Sequence, residues 1–173
     1  TGADRLDETL EAIKVSIDVG LLPVKMNTTI MRGLNADELD NLIEFSRSLG
    51  GSETNVLQLI ELVPNESLFY ERHHYSLDSI ENDLKNRSIA SIERVSHRRP
   101  KYELANGVIV EIVRPMHNTK FCMGCNRMRI TYDGKFKPCL LRNHNHIDFL
   151  SSMRSGADDT KIMEIFKKAV SIR

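Results

Sequence analysis

The chain has 173 residues, of which 40% are hydrophobic, and its 24 basic side chains are balanced by 24 acidic ones. A chain of this length can bury the core of one large domain or of two small ones. Zero formal net charge argues against a protein that coats nucleic acid, and no apolar run approaches the length of a membrane span. We therefore expect neither a nucleic-acid partner nor a membrane partner. Three cysteines clustered in 18 positions suit a metal site in a cytoplasmic protein better than a disulfide framework.

The first part of the chain predicts alternating helices and strands. Apolar residues at helical spacing predict an amphipathic helix over residues 6–19, and the alternation in VKMNTTI predicts a strand over residues 24–30. Asn35, with Glu38 three residues later, has the capping-box pattern that begins a second helix. The run VLQLIELV, residues 56–63, predicts a strand buried on both faces. This order predicts a parallel sheet with covering helices.

The later elements are shorter. Residues 76–86 have one apolar face and predict a further helix. Three β-prone pieces follow, at residues 89–96, 102–104 and 108–113, and they are separated by turn signals. Residues 158–172 predict a closing helix, with its apolar side chains at helical spacing.

The change of pattern divides the chain into two predicted regions of an α/β protein. Residues 1–87 have the order helix–strand–helix–strand–helix, and residues 88–173 form a small β-rich extension with a cysteine hairpin and the closing helix. Two strand–helix units cannot close a barrel, which needs about eight. The chain also begins on a helix with no preceding strand, which is typical of the C-terminal portion of something longer. The alternative is a small open α/β sheet.

All three cysteines lie in the stretch FCMGCNRMRITYDGKFKPC. Cys122, Cys125 and Cys139 have the spacing C-x2-C-x13-C, and the first pair has a chelate spacing. An Asp-Gly pair lies between two β-prone segments and predicts a two-residue hairpin turn. In that register Cys139 lies across from Met128, so the hairpin folds the third cysteine back toward the first two.

Three interpretations of these cysteines remain open at this point. They are buried cysteines that pack as small hydrophobes, since free cysteine is often buried. They hold a structural zinc ion, with His117, His144 or His146 as the fourth ligand. Or they hold an iron–sulfur cluster through three thiolates and leave one iron open to a substrate atom. Spacing alone does not separate zinc from iron–sulfur.

Arg127 and Arg129 follow the second cysteine and share one face of the predicted strand. Arginine is the usual side chain for bidentate recognition of phosphate, and the alternative is a solvated strand face. The simple register places Cys139 on the opposite face from both arginines, unless Pro138 marks a bulge.

Two further motifs are predicted to lie at the surface. His73 and His74 are neighbours, which on an extended chain face opposite ways and do not share a ligand. HRRPK, residues 97–101, predicts a solvated basic turn, with nucleic-acid contact as a poor second interpretation.

The stretch FCMGCNRMRITYDGKFKPCL resembles the C-terminal cluster motif of the radical-SAM GTP 3′,8-cyclases of molybdenum cofactor biosynthesis, the MoaA family. VKMNTTIMRGLNADEL, residues 24–39, is similar to the family's fifth barrel strand and the helix after it. LQLIELVP, residues 57–64, is similar to its sixth strand. The resemblance covers roughly residues 1–150, and it is most specific at residues 121–141.

The resemblance implies a fold and a reaction. The fold is the C-terminal half of an incomplete TIM-type (βα) barrel, followed by a cluster-binding extension. The reaction converts GTP to (8S)-3′,8-cyclo-7,8-dihydroguanosine 5′-triphosphate in molybdopterin biosynthesis. An N-terminal [4Fe-4S] cluster and S-adenosylmethionine generate the radical, and a C-terminal [4Fe-4S] cluster with three cysteine ligands presents an open iron to the guanine. The resemblance also suggests a homodimer.

The resemblance implies roles for residues of this chain. The three cysteines hold the C-terminal cluster, and the expected GTP contacts are Lys25, Arg127, Met128 and Arg129. Val63 falls where the family meets S-adenosylmethionine through its backbone. Gln58 stands where many members carry an arginine, so the phosphate groups must be held differently if that arginine grips them.

Two departures limit the expected activity. The chain contains no C-x3-C-x2-C motif, and it ends Ser171-Ile172-Arg173 where the family often ends in Gly-Gly. We therefore expect an N-terminal radical-SAM half to be missing and this polypeptide alone to be inactive. The alternatives are a non-catalytic, zinc-stabilised binding module and a superfamily relative with another substrate, against which the CNR-x-R match argues.

Overall fold

A five-stranded mixed sheet organises the first of two units into which the chain divides between Gly124 and Cys125. The computed structural model describes residues 3–64, 67–116 and 118–173. No helix in this part of the chain is both long enough and apolar enough to cross a bilayer. The predicted α/β class is confirmed, and β-strands that follow Arg87, where a boundary was expected, belong to the same sheet.

The sheet has the strand order β1-β2-β5-β4-β3. Its strands are β1 (Val24–Ile30), β2 (Asn55–Glu61), β3 (Ser88–Glu93), β4 (Pro100–Leu104) and β5 (Ile109–Val113). β1, β2 and β5 run parallel, whereas β4 pairs antiparallel with β5, and β3 with β4. The predicted parallel pairing of the first two strands is therefore confirmed.

Within residues 3–64, 67–116 and 118–124, five helices belong to the same unit. They are α1 (Leu6–Asp18), α2 (Leu39–Ser48), α3 (Leu68–His73), α4 (Asp78–Arg87) and α5 (Thr119–Met123). Short 3₁₀ turns cover Gly51–Glu53 and Ser96–Arg98. The predicted first helix and the predicted helix before residue 88 are confirmed to within about two residues, which is the ordinary uncertainty of helix ends.

One face of the sheet is apolar and packs against helices. Side chains alternate between faces along a strand, so residues that pair across neighbouring strands share a face. On this face the register aligns an apolar row: Met26, Leu57, Val110 and Tyr102. Ile13 of α1, Ile43 of α2 and Ile80 of α4 pack into the same core. The core thus covers one face of the sheet with helices.

The opposite face carries polar side chains. One residue away on each of the same strands, the register aligns a polar row: Asn27, Gln58, Glu111 and Lys101. Lys25 precedes Asn27 by two residues on β1 and therefore shares this face. β2 is buried along most of its length, as predicted, yet one of its faces presents the amide of Gln58 to this row.

The capping box predicted at Asn35 is wrong. α2 begins at Leu39, and Asn35 closes the loop after β1. Its Oδ1 accepts a hydrogen bond from the backbone N–H of Met31 at 2.7 Å, and its Nδ2 donates to the backbone oxygen of Thr29 at 3.0 Å. Asparagine side chains often bond to nearby backbone groups in turns, and here that use replaces helix capping.

The second unit is a three-stranded antiparallel sheet with two helices. Its elements are β6 (Arg129–Ile130), β7 (Lys135–Lys137), β8 (Ile147–Asp148), α6 (Leu150–Arg154) and α7 (Asp159–Ser171). Phe136 is the centre of its core, stacked on Phe149 at 4.3 Å between ring centroids and edge-on to Phe166 at 5.4 Å. The Asp158 side chain accepts a hydrogen bond from the Lys161 N–H and caps α7, which confirms the predicted closing helix.

The hairpin forms, but its predicted register is wrong by one residue. Arg129 pairs with Lys137, and the Thr131 N–H donates to the Lys135 oxygen at 2.9 Å, which leaves a three-residue loop. Such loops place a residue with positive φ at their last position, and Gly134 has φ 75°. The objection that the register turns Cys139 away from the arginines therefore no longer applies.

Candidate functional site

The cysteine motif spans the point where the two units divide. Cys122 lies on α5 in the first unit, and Cys125 and Cys139 lie in the second. All three thiols are free; Cys122 is exposed and the other two are half-buried. Thiols that neither form disulfides nor fill a core suit a metal centre chemically.

Metal-site geometry gives no further support. Within residues 3–64, 67–116 and 118–173, no group of three or more His, Cys, Asp or Glu side chains is placed to hold an ion. His144 and His146 are therefore not gathered with other ligands there. His117, the third histidine predicted as a zinc ligand, lies outside the described residues.

The first half of the motif is packed against the turn between β3 and β4. The backbone N–H of His97 donates to the Gly124 oxygen at 2.9 Å. A Cβ on Gly124 would lie 3.0 Å from Cγ of Arg98 and 3.1 Å from the backbone nitrogen of His97. Residue 124 therefore needs to be glycine because another backbone approaches it closely.

The prediction of a solvated basic turn over residues 97–101 is wrong for His97 and Arg99, which are buried or largely buried. His97 is only 4% exposed, and its ring lies 4.5 Å from the ring of Phe121. His97 and Arg98 have φ values of 63° and 47°, a conformation that L-residues adopt rarely and that surrounding contacts must hold. Arg99 is largely buried, whereas Arg98 is exposed.

Glu111 explains why Arg99 is buried. The Glu111 carboxylate is fully buried on β5, and Nε of Arg99 lies 2.8 Å from its Oε1. Nη1 of Arg94, at the other end of the same turn, lies 3.6 Å from that oxygen. A buried carboxylate needs such partners because removing an ion from water costs several kcal/mol.

Lys25 belongs to the same electrostatic environment. Partial burial lowers the pKa of Lys25, and the positive charge of Arg94 lowers it further, while Glu111 opposes the shift. Arg99 and Lys101 also act in the lowering direction. Lys25 is therefore close enough to Arg94, Arg99, Lys101 and Glu111 to interact with their charges.

Gln58 lies between these charges. It is 5% exposed and pairs in register with both Asn27 and Glu111. Its Nε2 is buried and makes no hydrogen bond within the described part of the chain. An unsatisfied buried amide is uncommon in folded proteins and requires an explanation.

A second charged network surrounds the ends of β2 and β5. The guanidinium of Arg114 lies 3.4 Å from Glu61 Oε2 and 3.1 Å from Asp78 Oδ1, and it also bonds Glu81. His73 and His74 are both half-buried, and His74 lies 3.2 Å from Glu61, so the prediction of two surface histidines is wrong. This network ties α4 and the chain after α3 to the sheet.

The predicted arginine pair lies at the start of the second unit. Arg129 is half-buried on β6, Arg127 is exposed, and Met128 packs beside the phenylalanine core. The guanidinium of Arg173 donates to the backbone oxygens of Cys125 and Arg127, the latter at 2.8 Å. These bonds restrain the backbone between the second cysteine and the arginines.

Val63 is half-buried and follows the end of β2. Residues that sequence reasoning missed are Arg94, Arg99 and Glu111. One signal was present: a glutamate in the apolar run VIVEIV requires a cationic partner wherever that strand is buried.

Comparison with known proteins agrees with the resemblance read from the motifs. Residues 55–173 match the family model for Molybdenum Cofactor Synthesis C. The chain is 47% identical to a protein from Thermococcus kodakarensis named "Probable GTP 3′,8-cyclase", over 100% of this chain and 57% of that relative. A protein of the same name from Pyrococcus abyssi is 43% identical, over 100% of this chain and 57% of the relative. No solved structure matches the chain.

A third relative of that name, from Methanocella arvoryzae, is 41% identical over 98% of this chain and 51% of its own length. The chain thus spans just over half the length of these relatives. On the family match and these identities, the chain belongs to the Molybdenum Cofactor Synthesis C family and corresponds to the C-terminal part of proteins named as GTP 3′,8-cyclases.

Proposed function

We propose that this chain is the substrate-binding, C-terminal portion of a GTP 3′,8-cyclase. The complete enzyme would convert GTP to (8S)-3′,8-cyclo-7,8-dihydroguanosine 5′-triphosphate in molybdopterin biosynthesis. The observation that carries the proposal is the C-x2-C-x13-C motif with its two arginines, in a chain that is 47% identical to a protein named as a probable GTP 3′,8-cyclase.

The first unit is proposed to be part of an incomplete TIM-type barrel. Two features support this. β1, β2 and β5 are parallel with helices on one face, and the other face carries the polar row where a barrel would have its interior. In barrels of this kind substrates bind at the C-terminal ends of the strands.

Cys122, Cys125 and Cys139 are proposed to hold a [4Fe-4S] cluster. Free thiols and the chelate spacing support this ligand set. The bound cluster would supply an iron with one open coordination position for the guanine. The hydrogen bonds from Arg173 to the backbone beside Cys125 would keep the second ligand and the arginines in a fixed relation.

The proposed GTP contacts divide by chemistry. Lys25, Arg127 and Arg129 would neutralise phosphate charge, since charge-assisted bonds from these side chains are the strong ones. Met128 would contribute only its backbone, because its side chain packs in the core of the second unit. Val63 is proposed to meet S-adenosylmethionine through its backbone.

Radical generation is assigned to the N-terminal half of the complete enzyme, together with its own [4Fe-4S] cluster. Homodimerisation of that enzyme is likewise a proposal from the resemblance. The 173-residue chain alone is expected to yield no cyclised product with GTP, S-adenosylmethionine and a reductant. Detectable product from this chain would overturn that part of the proposal.

Anaerobic reconstitution with iron and sulfide tests the cluster. We expect brown protein with broad visible absorption, and we expect Cys125→Ser to lose that absorption while Ser151→Ala, a matched change in the second unit, keeps it. Colourless protein that binds one equivalent of zinc would instead favour the zinc-stabilised module. Calorimetric titration with GTP then tests substrate binding by the reconstituted chain.

A further inference from the structure

The polar face of the first sheet holds more positive charge than its carboxylates neutralise. Four cations lie around the buried Glu111: Lys25, Arg94, Arg99 and Lys101. Among the described residues, Arg94 and Arg99 are the ones within ion-pair distance of Glu111. In the part of the chain that the structure describes, neither Lys25 nor Lys101 forms an ion pair.

We propose that Arg94 and Arg99, held over Glu111 by the β3–β4 turn, complete with Lys25 and Gln58 a binding site for the phosphate groups of a nucleotide. This proposal deepens the proposed function and rests on it for the identity of the nucleotide. It names the side chains that grip the triphosphate in a chain whose position 58 is a neutral glutamine.

The buried amide of Gln58 points to a ligand. Its Nε2 makes no hydrogen bond among the described residues, and the carboxylate oxygens of Glu111, its neighbour in register on the same face, make none either. A phosphate oxygen could accept the hydrogen bond that this amide does not make within the chain. Binding an anion there would satisfy the donor and reduce the repulsion among the cations at the same time.

Several contacts fix the β3–β4 turn, so Arg94 and Arg99 at its two ends can act as a rigid clamp on a ligand; these two arginines are called the clamp below. The Arg94 N–H donates to the Arg99 oxygen at 2.9 Å, so the two arginines are held at the two ends of one closed turn. His97, buried against Phe121, and the close approach to Gly124 fix the segment between them. Preorganised arginines lose less conformational entropy on binding than arginines on a mobile loop.

Glu111 orients the clamp. Its ion pair with Nε of Arg99 fixes the direction of that guanidinium, and it keeps Arg94 and Arg99 close despite their like charge. Among the described residues, Glu111 and Glu103 are the carboxylates on this face, and they are outnumbered by the four cations, so the face keeps an excess of positive charge near Arg94 and Lys25. We therefore expect the oriented guanidinium to donate a charge-assisted hydrogen bond to a phosphate oxygen.

A groove of about 310 Å³ opens beside the clamp, and Arg94 and Lys101 line it. Glu93 and Glu103 line it as well, toward the edge strand β3. The acidic members disfavour an anion in that part of the groove. The anion is therefore expected next to Arg94 and Gln58, on the polar face of the sheet.

The test is calorimetric titration of the 173-residue chain with inorganic tripolyphosphate, GTP and guanosine. The test variant is Arg94→Gln, and the matched control is Arg72→Gln, which removes the same charge from an exposed position of α3. We expect Arg94→Gln to weaken binding of tripolyphosphate and GTP about tenfold, the effect of one lost charge-assisted bond, and to leave guanosine binding unchanged. The control should change each affinity by less than about twofold.

Arg99→Gln combined with Glu111→Gln gives a second test that does not leave a buried charge unpaired. We expect this double variant to fold, as circular dichroism and thermal unfolding would report, and to weaken tripolyphosphate binding by at least as much as Arg94→Gln. Tripolyphosphate affinity that is equal in Arg94→Gln and Arg72→Gln, or no binding to the unsubstituted chain, would overturn the phosphate site.

The failures of the two proposals are distinguishable. Tripolyphosphate binding that depends on Arg94, with GTP bound no more tightly than tripolyphosphate and guanosine not bound, supports the phosphate site and counts against the cyclase. GTP binding that is selective for guanine but indifferent to Arg94 supports the cyclase and overturns the phosphate site.

Discussion

The apolar row and the polar row lie one residue apart on the same four strands, yet they contribute differently to the protein. The apolar row packs against α1, α2 and α4 and holds the first unit together. The polar row buries a carboxylate and an amide whose interactions are incomplete within the described residues. Changes on the apolar face should therefore alter stability alone, whereas changes on the polar face should alter anion binding.

Glu111→Ala is expected to have the largest effect on stability. It is an exception to the separation of the two faces, because the Glu111 side chain lies on the polar face but is fully buried. Removing it leaves Arg99 buried without its carboxylate, which we expect to lower the free energy of unfolding by about 3–5 kcal/mol. Urea unfolding measures the loss. A loss below about 1 kcal/mol would show that the ion pair is unimportant for folding, and the double variant Arg99→Gln with Glu111→Gln is the control.

Leu57→Ala tests the apolar row. Leu57 is almost fully buried on β2, between β1 and β5, so the substitution should lower the free energy of unfolding by about 2–5 kcal/mol. Tripolyphosphate affinity of the folded fraction should stay within about twofold of the unsubstituted chain, because the side chain faces the helices. A large change in affinity at unchanged stability would contradict the separation of the two faces.

Glu81→Gln tests whether the charged network around Arg114 makes the stability of the first unit depend on pH. Burial raises the pKa of Glu81, but hydrogen bonds donated by Tyr102 and Arg114 outweigh burial and leave the pKa below its ordinary value. A lowered folded-state pKa adds stability above the unfolded-state value, about 4.3, and that stability is lost as pH falls through the folded value. Between pH 7 and pH 3 the variant should therefore lose less stability than the unsubstituted chain.

If Glu81→Gln and the unsubstituted chain lose the same free energy of unfolding between pH 7 and pH 3, the ionised Glu81 carboxylate does not stabilise the fold. Glu44→Gln is a suitable control, since the Glu44 carboxylate is exposed and pairs only with Arg47 on the surface of α2. Exposed pairs of this kind contribute little to stability.

Lys25→Gln should give the smallest change in stability and a clear change in binding. Burial and Arg94 lower the pKa of Lys25, so its charged form is disfavoured in the folded state, and removing the charge should leave the thermal midpoint equal or slightly higher. Tripolyphosphate affinity should fall several-fold, with a weaker dependence on salt. An unchanged affinity in calorimetry would remove Lys25 from the site.

Local patterns in the sequence predicted most elements because helices and strands follow from the spacing of nearby apolar residues. β1 and β2 pair in parallel as expected, and α7 is capped by Asp158. Asn35 was misread because its side chain bonds backbone groups that only the folded loop after β1 brings within reach. The position of an N-cap depends on such contacts as well as on residue type.

The hairpin shows how a small local error changes a site. An Asp-Gly pair suits both a two-residue turn and a three-residue loop with a terminal glycine. The packing of Leu150 against Gly134, where a Cβ would lie 2.3 Å from the leucine side chain, is compatible with the loop that forms. Because side chains alternate, a shift of one residue moves each side chain to the other face.

From the sequence by itself came the α/β class, the family and the spacing of the three cysteines, since these depend on residue type and short-range periodicity. Only the tertiary structure decided that β5 lies between β2 and β4 and that Glu111 therefore meets Gln58, Arg94 and Arg99. The physical reason is that strand order and register depend on long-range packing, whereas each residue's own pattern reports only which face it favours.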